Sequence, residues 1–144
     1  MGAALLASSL AASAQSPQPT LPIVKIQAGI HIIRAEVANT PGARQMGLMH
    51  RESLPRNGGM IFVFDIPEAH CFWMKNTPLP LSIAFIADDG RIVNIADMQP
   101  FDEASHCAEE AVRFALEMDQ GWFERKGFKA GSRLRSPELF KATQ

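Results

Sequence analysis

Several features that would assign a chain quickly are missing here, and each absence removes a class of protein. No apolar run approaches the roughly eighteen residues that a membrane-spanning helix needs, so no transmembrane segment is expected in the mature chain. Neither sign of charge dominates: the formal net charge is -1 and the pI is near 6.4. A chain so balanced carries no electrostatic footprint for nucleic acid or an anionic membrane face. No internal repeat is visible, which excludes solenoids and propellers. The Gly-x-Ser-x-Gly elbow, the phosphate loop, His-Glu-x-x-His and Cys-x-x-Cys are all absent. Asp102, Ser105 and His106 crowd one segment, but the partners of a catalytic triad come from separate elements. The chain therefore leans away from an enzyme, and nothing in it calls for a cofactor.

What is present fits one domain. The 144 residues are 47% hydrophobic and 20% charged, enough for a sizeable single core with short tails. Residues 2–12 form an uncharged run of Ala, Leu, Ser and Gly, and Ala12-Ser13-Ala14 has the small-x-small form of a signal-peptidase site. Residues 1–14 thus read as a signal peptide whose basic n-region is missing, as a start codon upstream of Met1 would explain. Ser16-Pro17-Gln18-Pro19-Thr20 reads as an exposed linker. The expected organisation is a signal peptide over 1–14, a linker over 15–22, one domain over 23–135 and a tail over 136–144. The mature protein is expected outside the cytoplasm, in a periplasm.

Most of the periodicity is of strand type. Residues 23–27 and 30–38 alternate and are β-branched, with Gly29 between them. Thr40-Pro41 supplies an N-cap and a proline at the first helical position, predicting a short helix over 41–49 that Gly47 weakens. Residues 54–59 form a turn that delivers Met60 to Phe64, an apolar run short enough for a buried strand. Asp65-Ile66-Pro67 reads as a loop. Residues 81–87 and 91–96 flank Asp88-Asp89-Gly90, the clearest hairpin signal in the chain. Residues 99–110 lack a period and form the longest loop. Beyond them Arg113, Ala115 and Glu117 share one face of a strand, an acid and a base separated by a small residue that leaves room for a cover or a ligand. A helical turn over 120–126, ended by Gly127, and a last strand over 128–135 complete the set. The fold class expected is β-rich α+β: a small, bent antiparallel sheet closing toward a barrel, with one or two short helices.

The stretch His70-Cys71-Phe72-Trp73-Met74-Lys75-Asn76-Thr77-Pro78 puts a charge and an amide at the lip of an apolar run, where a site is expected. Together with Gly47-Leu48-Met49 between Arg44 and Arg51, and with Pro80-Leu81, Phe85-Ile86, Asp89-Gly90, Leu116-Glu117 and Gly121, it resembles the family called domain of unknown function 192. The resemblance covers residues 30–134. It implies a compact β-rich domain of bacteria and archaea, usually exported, and it implies no activity, so no catalytic residue is carried over. Cys71 and Cys107 stand outside the family pattern.

Two cysteines in an exported chain suggest a disulfide, and one joining Cys71 to Cys107 would tie the long loop to the sheet for about 3 to 4 kcal/mol. His70-Cys71 and His106-Cys107 leave a second reading, a zinc or copper site, although neighbouring strand residues point to opposite faces. Unpaired thiols are the third. The methionines Met46, Met49, Met60, Met74, Met98 and Met118 fit core packing better than soft-metal binding. Lys75 and Asn76 are equally suited to a solvated turn or to a notch that, with Trp73 and Arg44 or Arg51, holds a small anion or a peptide. Glu117 reads either as the ion-pair partner of Arg113 or as part of a partly buried charge cluster with Lys75 or Arg44. The expected recognition surface is Arg44, Met49, Arg51, Trp73, Lys75, Asn76 and Glu117. An enzyme using Lys75 with Glu117, and a metal-handling protein using the His-Cys pairs, are the alternatives to a binding or accessory module.

Overall fold

A computed structural model of the chain describes residues 1–7 and 15–142. The expected cleavage motif Ala12-Ser13-Ala14 lies outside the described residues. The first two strands, β1 (Ile23–Ala28) and β2 (His31–Ala38), form a hairpin that turns at Gly29 in the left-handed region, φ +58°. The helix α1 (Pro41–Met46) begins as expected, with the Ala43 N–H donating to the Thr40 hydroxyl at 3.2 Å. It stops three residues earlier than expected because Gly47 takes φ +49°, and single turns carry the chain on to Arg51.

The strand β3 (Gly58–Glu68) runs longer than expected. Asp65, Ile66 and Pro67 belong to it rather than to a loop, in a register break between Val63 and Glu68 where the strand bulges. Then come β4 (Cys71–Phe72), the expected hairpin β5 (Leu81–Ile86) and β6 (Ile92–Met98), β7 (His106–Cys107) inside the long loop, β8 (Val112–Asp119) and α2 (Trp122–Arg125). Residues 128–135 are not a strand. Gly131 at φ +90° and the turn from Lys129 to Ser132 leave them two isolated bridges, Gln27 with Arg135 and Arg91 with Arg133.

The main sheet has the order β1-β2-β3-β8-β5-β6 and is antiparallel apart from the β2–β3 pair. It curls without closing into a barrel, because the segment that reaches toward both edges makes only those single bridges. Both faces are covered. Ile61, Ala84, Ile86, Phe114, Leu116 and Met118 pack on one side under Trp122, Phe123, Leu134 and Phe140. Met60, Phe62, Ile83, Phe85 and Ala115 pack on the other, under Leu48, Met74 and Leu79. The two-stranded sheet β4–β7 lies over this second face.

The segments expected as linker and tail are both docked. Gln18 donates to the Ala43 and Gly47 carbonyls at the end of α1, at 3.1 and 2.9 Å. Residues 136–142 pack through Phe140 on Phe114, with ring centroids 5.1 Å apart, and through the Lys141 N–H on the Asp88 carbonyl. No helix among the described residues is long and apolar enough to cross a membrane.

Candidate functional site

Sheet register brings two acids into one row on the second face. Reading across the strands, Glu36 is paired with Met60, Met60 with Glu117, and Glu117 with Ile83. Directly paired residues share a face, and two strand spacings put the acids about 10 Å apart. Both are buried, at 5% and 4% exposed. Their treatment differs completely. Glu36 accepts both terminal nitrogens of Arg51, at 2.9 and 3.0 Å, and the Leu21 N–H at 2.9 Å. Glu117 has no ion pair, and no hydrogen bond reaches its carboxyl from any described residue. Burial pushes the Glu117 carboxyl up to about 8, so it holds its proton at neutral pH.

Above Glu117 lies a cavity of about 300 Å³. Its walls come from three places: Arg44 to Met49, the β3 side chains Phe62 and Phe64, and the run Cys71-Phe72-Trp73 with Thr77 behind it. Each wall has a local cause. Gly47 has no side chain, and a Cβ there would stand 3.2 Å from the Phe62 ring, so the post-helical loop can lie flat on the aromatic floor. Phe62 and Phe64 share a face by strand alternation and both meet Phe72, at 4.9 and 6.0 Å between centroids. The disulfide between Cys71 and Cys107, directly opposed on β4 and β7, holds Phe72 down.

The residues expected to form a recognition surface divide among three environments. Arg44, Met49, Trp73 and Glu117 line the cavity. Lys75 and Asn76 line an adjoining cleft, which shares Gln45, Met46, Met49 and Trp73 with it. Asn76 sits at φ +55° and its carbonyl accepts the His50 N–H at 2.8 Å, the geometry of a turn that also pins the loop after α1. Lys75 stands 5.2 Å from the centre of the half-exposed Trp73 ring. Arg51 lies in neither hollow: its charge is committed to Glu36 in a partly buried structural ion pair, so it is not placed as an anion ligand.

Two expected pairings are corrected. Arg113 does not bind Glu117; its guanidinium donates to Asp88 at 2.9 Å, and no described residue replaces it at Glu117. Lys75 and Glu117 do not line one hollow, so the sequence-based acid/base pair is not assembled in the Glu117 cavity. The His-Cys metal reading meets the disulfide, which uses both sulfurs, and His70 stacks on Phe64 with centroids 3.6 Å apart. No cluster of three metal-ligating side chains occurs among the described residues. Four of the methionines, Met60, Met74, Met98 and Met118, are fully buried core, while Met46 and Met49 line the cavity.

Sequence reasoning missed Phe62, Phe64 and Phe72 as cavity walls and Glu36 as the partner of Arg51. The alternation of Met60, Phe62 and Phe64 carried the first signal; Glu36 shares its strand face with the exposed Ile32 and Arg34, so alternation gave no signal for its burial.

A family model, DUF192, described as Uncharacterized ACR, matches residues 23–136. A protein of unknown function from Novosphingobium aromaticivorans DSM 12444 is 36% identical, over 93% of this chain and 99% of that one, with a TM-score of 0.77. A protein from Sinorhizobium meliloti 1021, described as a candidate transcription regulator, is 36% identical over 81% of this chain and 94% of its own, with a TM-score of 0.75. No curated protein matches the chain.

Proposed function

The chain belongs to the DUF192 family, whose members are uncharacterised and lend it no activity, and we propose that it is an exported, non-enzymatic binding module taking a small ligand into the cavity above Glu117. One observation carries this reading: a carboxyl 4% exposed, with no partner among the described residues, faces a lined hollow, while a second acid on the same row of the sheet receives a guanidinium. The Glu117 carboxyl opens onto the hollow and takes no hydrogen bond from the described residues, whereas the Glu36 carboxylate is met by Arg51 and the Leu21 N–H. A ligand supplies what the chain withholds. Arg44, Met49 and Trp73 belong to the wall, and Lys75 and Asn76 to the rim beyond Met49, where an acidic end of the ligand would meet the Lys75 charge.

The domain is proposed to span 23–135, preceded by a signal peptide over 1–14 and a segment, 15–22, that braces α1. A periplasmic location is supported by the Cys71–Cys107 disulfide, which persists in oxidising compartments, and by the Ala12-Ser13-Ala14 motif. A regulator's nucleic-acid partner, suggested by the description of the Sinorhizobium relative, finds no support in a net charge of -1.

A second reading draws on the raised proton affinity of Glu117, which suits a general acid. It has no nucleophile or base to work with among the cavity residues: Cys71 is oxidised, and the Thr77 hydroxyl donates to the Lys75 carbonyl. Protein-observed NMR against a small-fragment collection tests the binding reading. Fragments are expected to perturb Trp73 and Phe72, Trp73→Ala to weaken them at least tenfold with the fold intact, and Glu117→Gln to change which fragments bind; perturbations confined to another face of the sheet would refute it.

A further inference from the structure

We infer that the cavity is built for a small primary amine, whose ammonium group seats on the Glu117 carboxylate while its apolar stem lies among Phe62, Phe72 and Trp73. The inference rests on the reading of the cavity as a ligand site and adds the chemical class. Glu117 can present only two head groups, a carboxylic acid or a carboxylate. The surroundings favour the partner of a carboxylate. Aromatic rings carry negative faces, and the cation of this wall and the one of the adjoining cleft already use them: Arg44 stands 5.2 Å from the Phe64 centroid and Lys75 5.2 Å from that of Trp73. A cation arriving at Glu117 meets the same kind of wall with a full counter-charge beneath it.

An anion has less to hold. Arg44 is the one cationic side chain among the described cavity residues, and its guanidinium is already held by the Val63 carbonyl at 3.0 Å and the Phe64 ring. The charged and titratable surroundings of Glu117 are few. Met60 opposes it from β3 and Ile83 from β5, the β4 wall brings Cys71, oxidised, and Phe72, and the α1 side brings Arg44. Nothing else charged lines the hollow among the described residues, so the electrostatic outcome turns on Glu117 itself.

Seating the ammonium requires the carboxylate, so the Glu117 proton leaves to solvent while the amine arrives already protonated. Affinity should therefore climb with pH, by up to ~tenfold per unit, until the free carboxyl ionises near pH 8.

The test uses three probes of one shape, benzylamine, benzyl alcohol and benzoate, titrated into the oxidised full-length chain from pH 6 to 8 and followed by heat and by Trp73 and phenylalanine resonances. Benzylamine is expected to bind at least ~tenfold tighter than the other two at pH 7.5 and to release close to one proton at pH 7. Glu117→Gln is expected to erase the preference while keeping the weak binding of benzyl alcohol. Benzoate or benzyl alcohol binding in the cavity as tightly as benzylamine would overturn the amine class and leave the ligand site standing. No probe perturbing Phe62, Phe72 or Trp73 at any pH would overturn both.

Discussion

Glu117 and Glu36 show how much one side chain can decide. They stand on the same sheet face, one with a bidentate guanidinium and one with a hollow. The linkage follows from the direction of the Glu117 shift. Its folded value, about 8, lies above its ordinary value of 4.5. Below about 4.5 both folded and unfolded chains hold the proton and no penalty exists; as pH rises toward 8 the unfolded chain ionises first, and stability is lost by up to ~1.4 kcal/mol per unit. Glu117→Gln removes that slope. Urea denaturation at pH 5 and pH 8 is expected to find the variant close to wild type at the lower pH and more stable by a few kcal/mol at the higher.

Arg51 predicts the reverse. Arg51→Met leaves Glu36 buried and unpaired, a loss of roughly 3 to 5 kcal/mol by the same denaturation measurement, while cavity binding per folded molecule stays unchanged. The sequence made Arg44, Arg51 and Glu117 candidates because charges near apolar runs are conspicuous. It could not say which arginine would be spent inside the fold, since that depends on β2 lying parallel to β3.

At the scale of elements, the cavity is a junction between a short helix, its glycine exit and a disulfide-tied strand pair. The Thr40-Pro41 start of α1 was legible because capping is local, and so was the β5–β6 hairpin with its Asp-Asp-Gly turn. The exit was less so. Gly47 reads as a weak helical position, whereas its positive φ ends the helix and its missing side chain makes room for Phe62. The strand pair β4–β7 escaped notice because two residues carry no period. Its disulfide spans 36 residues, and reduction is expected to cost about 3 to 4 kcal/mol in denaturant midpoint experiments. Because Cys71 and Phe72 line the cavity, reduction should also weaken ligand binding more than it perturbs the β1–β2 hairpin, a contrast that amide hydrogen exchange resolves.

For the whole molecule, a β-rich class was readable from alternation, and the family from the Phe72 to Thr77 string. Closure was not. A sheet that curls but stays open depends on whether residues 128–135 pair along their length, and Gly131 prevents that in a stretch whose alternation looks like a strand. The carboxyl-terminal residues were read as a tail because they are polar and short of pattern, yet Phe140 closes the first core face. Phe140→Ala is expected to lower stability by about 3 kcal/mol in thermal or urea unfolding, as for a core aromatic lost against Phe114.

The central claim concerns the floor of the cavity, and carboxyl carbon-13 NMR reads it directly. With the glutamate side chains labelled and the Glu117 resonance assigned by its loss in Glu117→Gln, titration of the ligand-free protein should place this carboxyl near 8 while it stays perturbed by nothing but burial. Saturating benzylamine should then pull it down by a unit or more. A Glu117 that titrates near its ordinary 4.5 in the free protein would mean the carboxyl is solvated or paired, and the account of a withheld partner would be wrong.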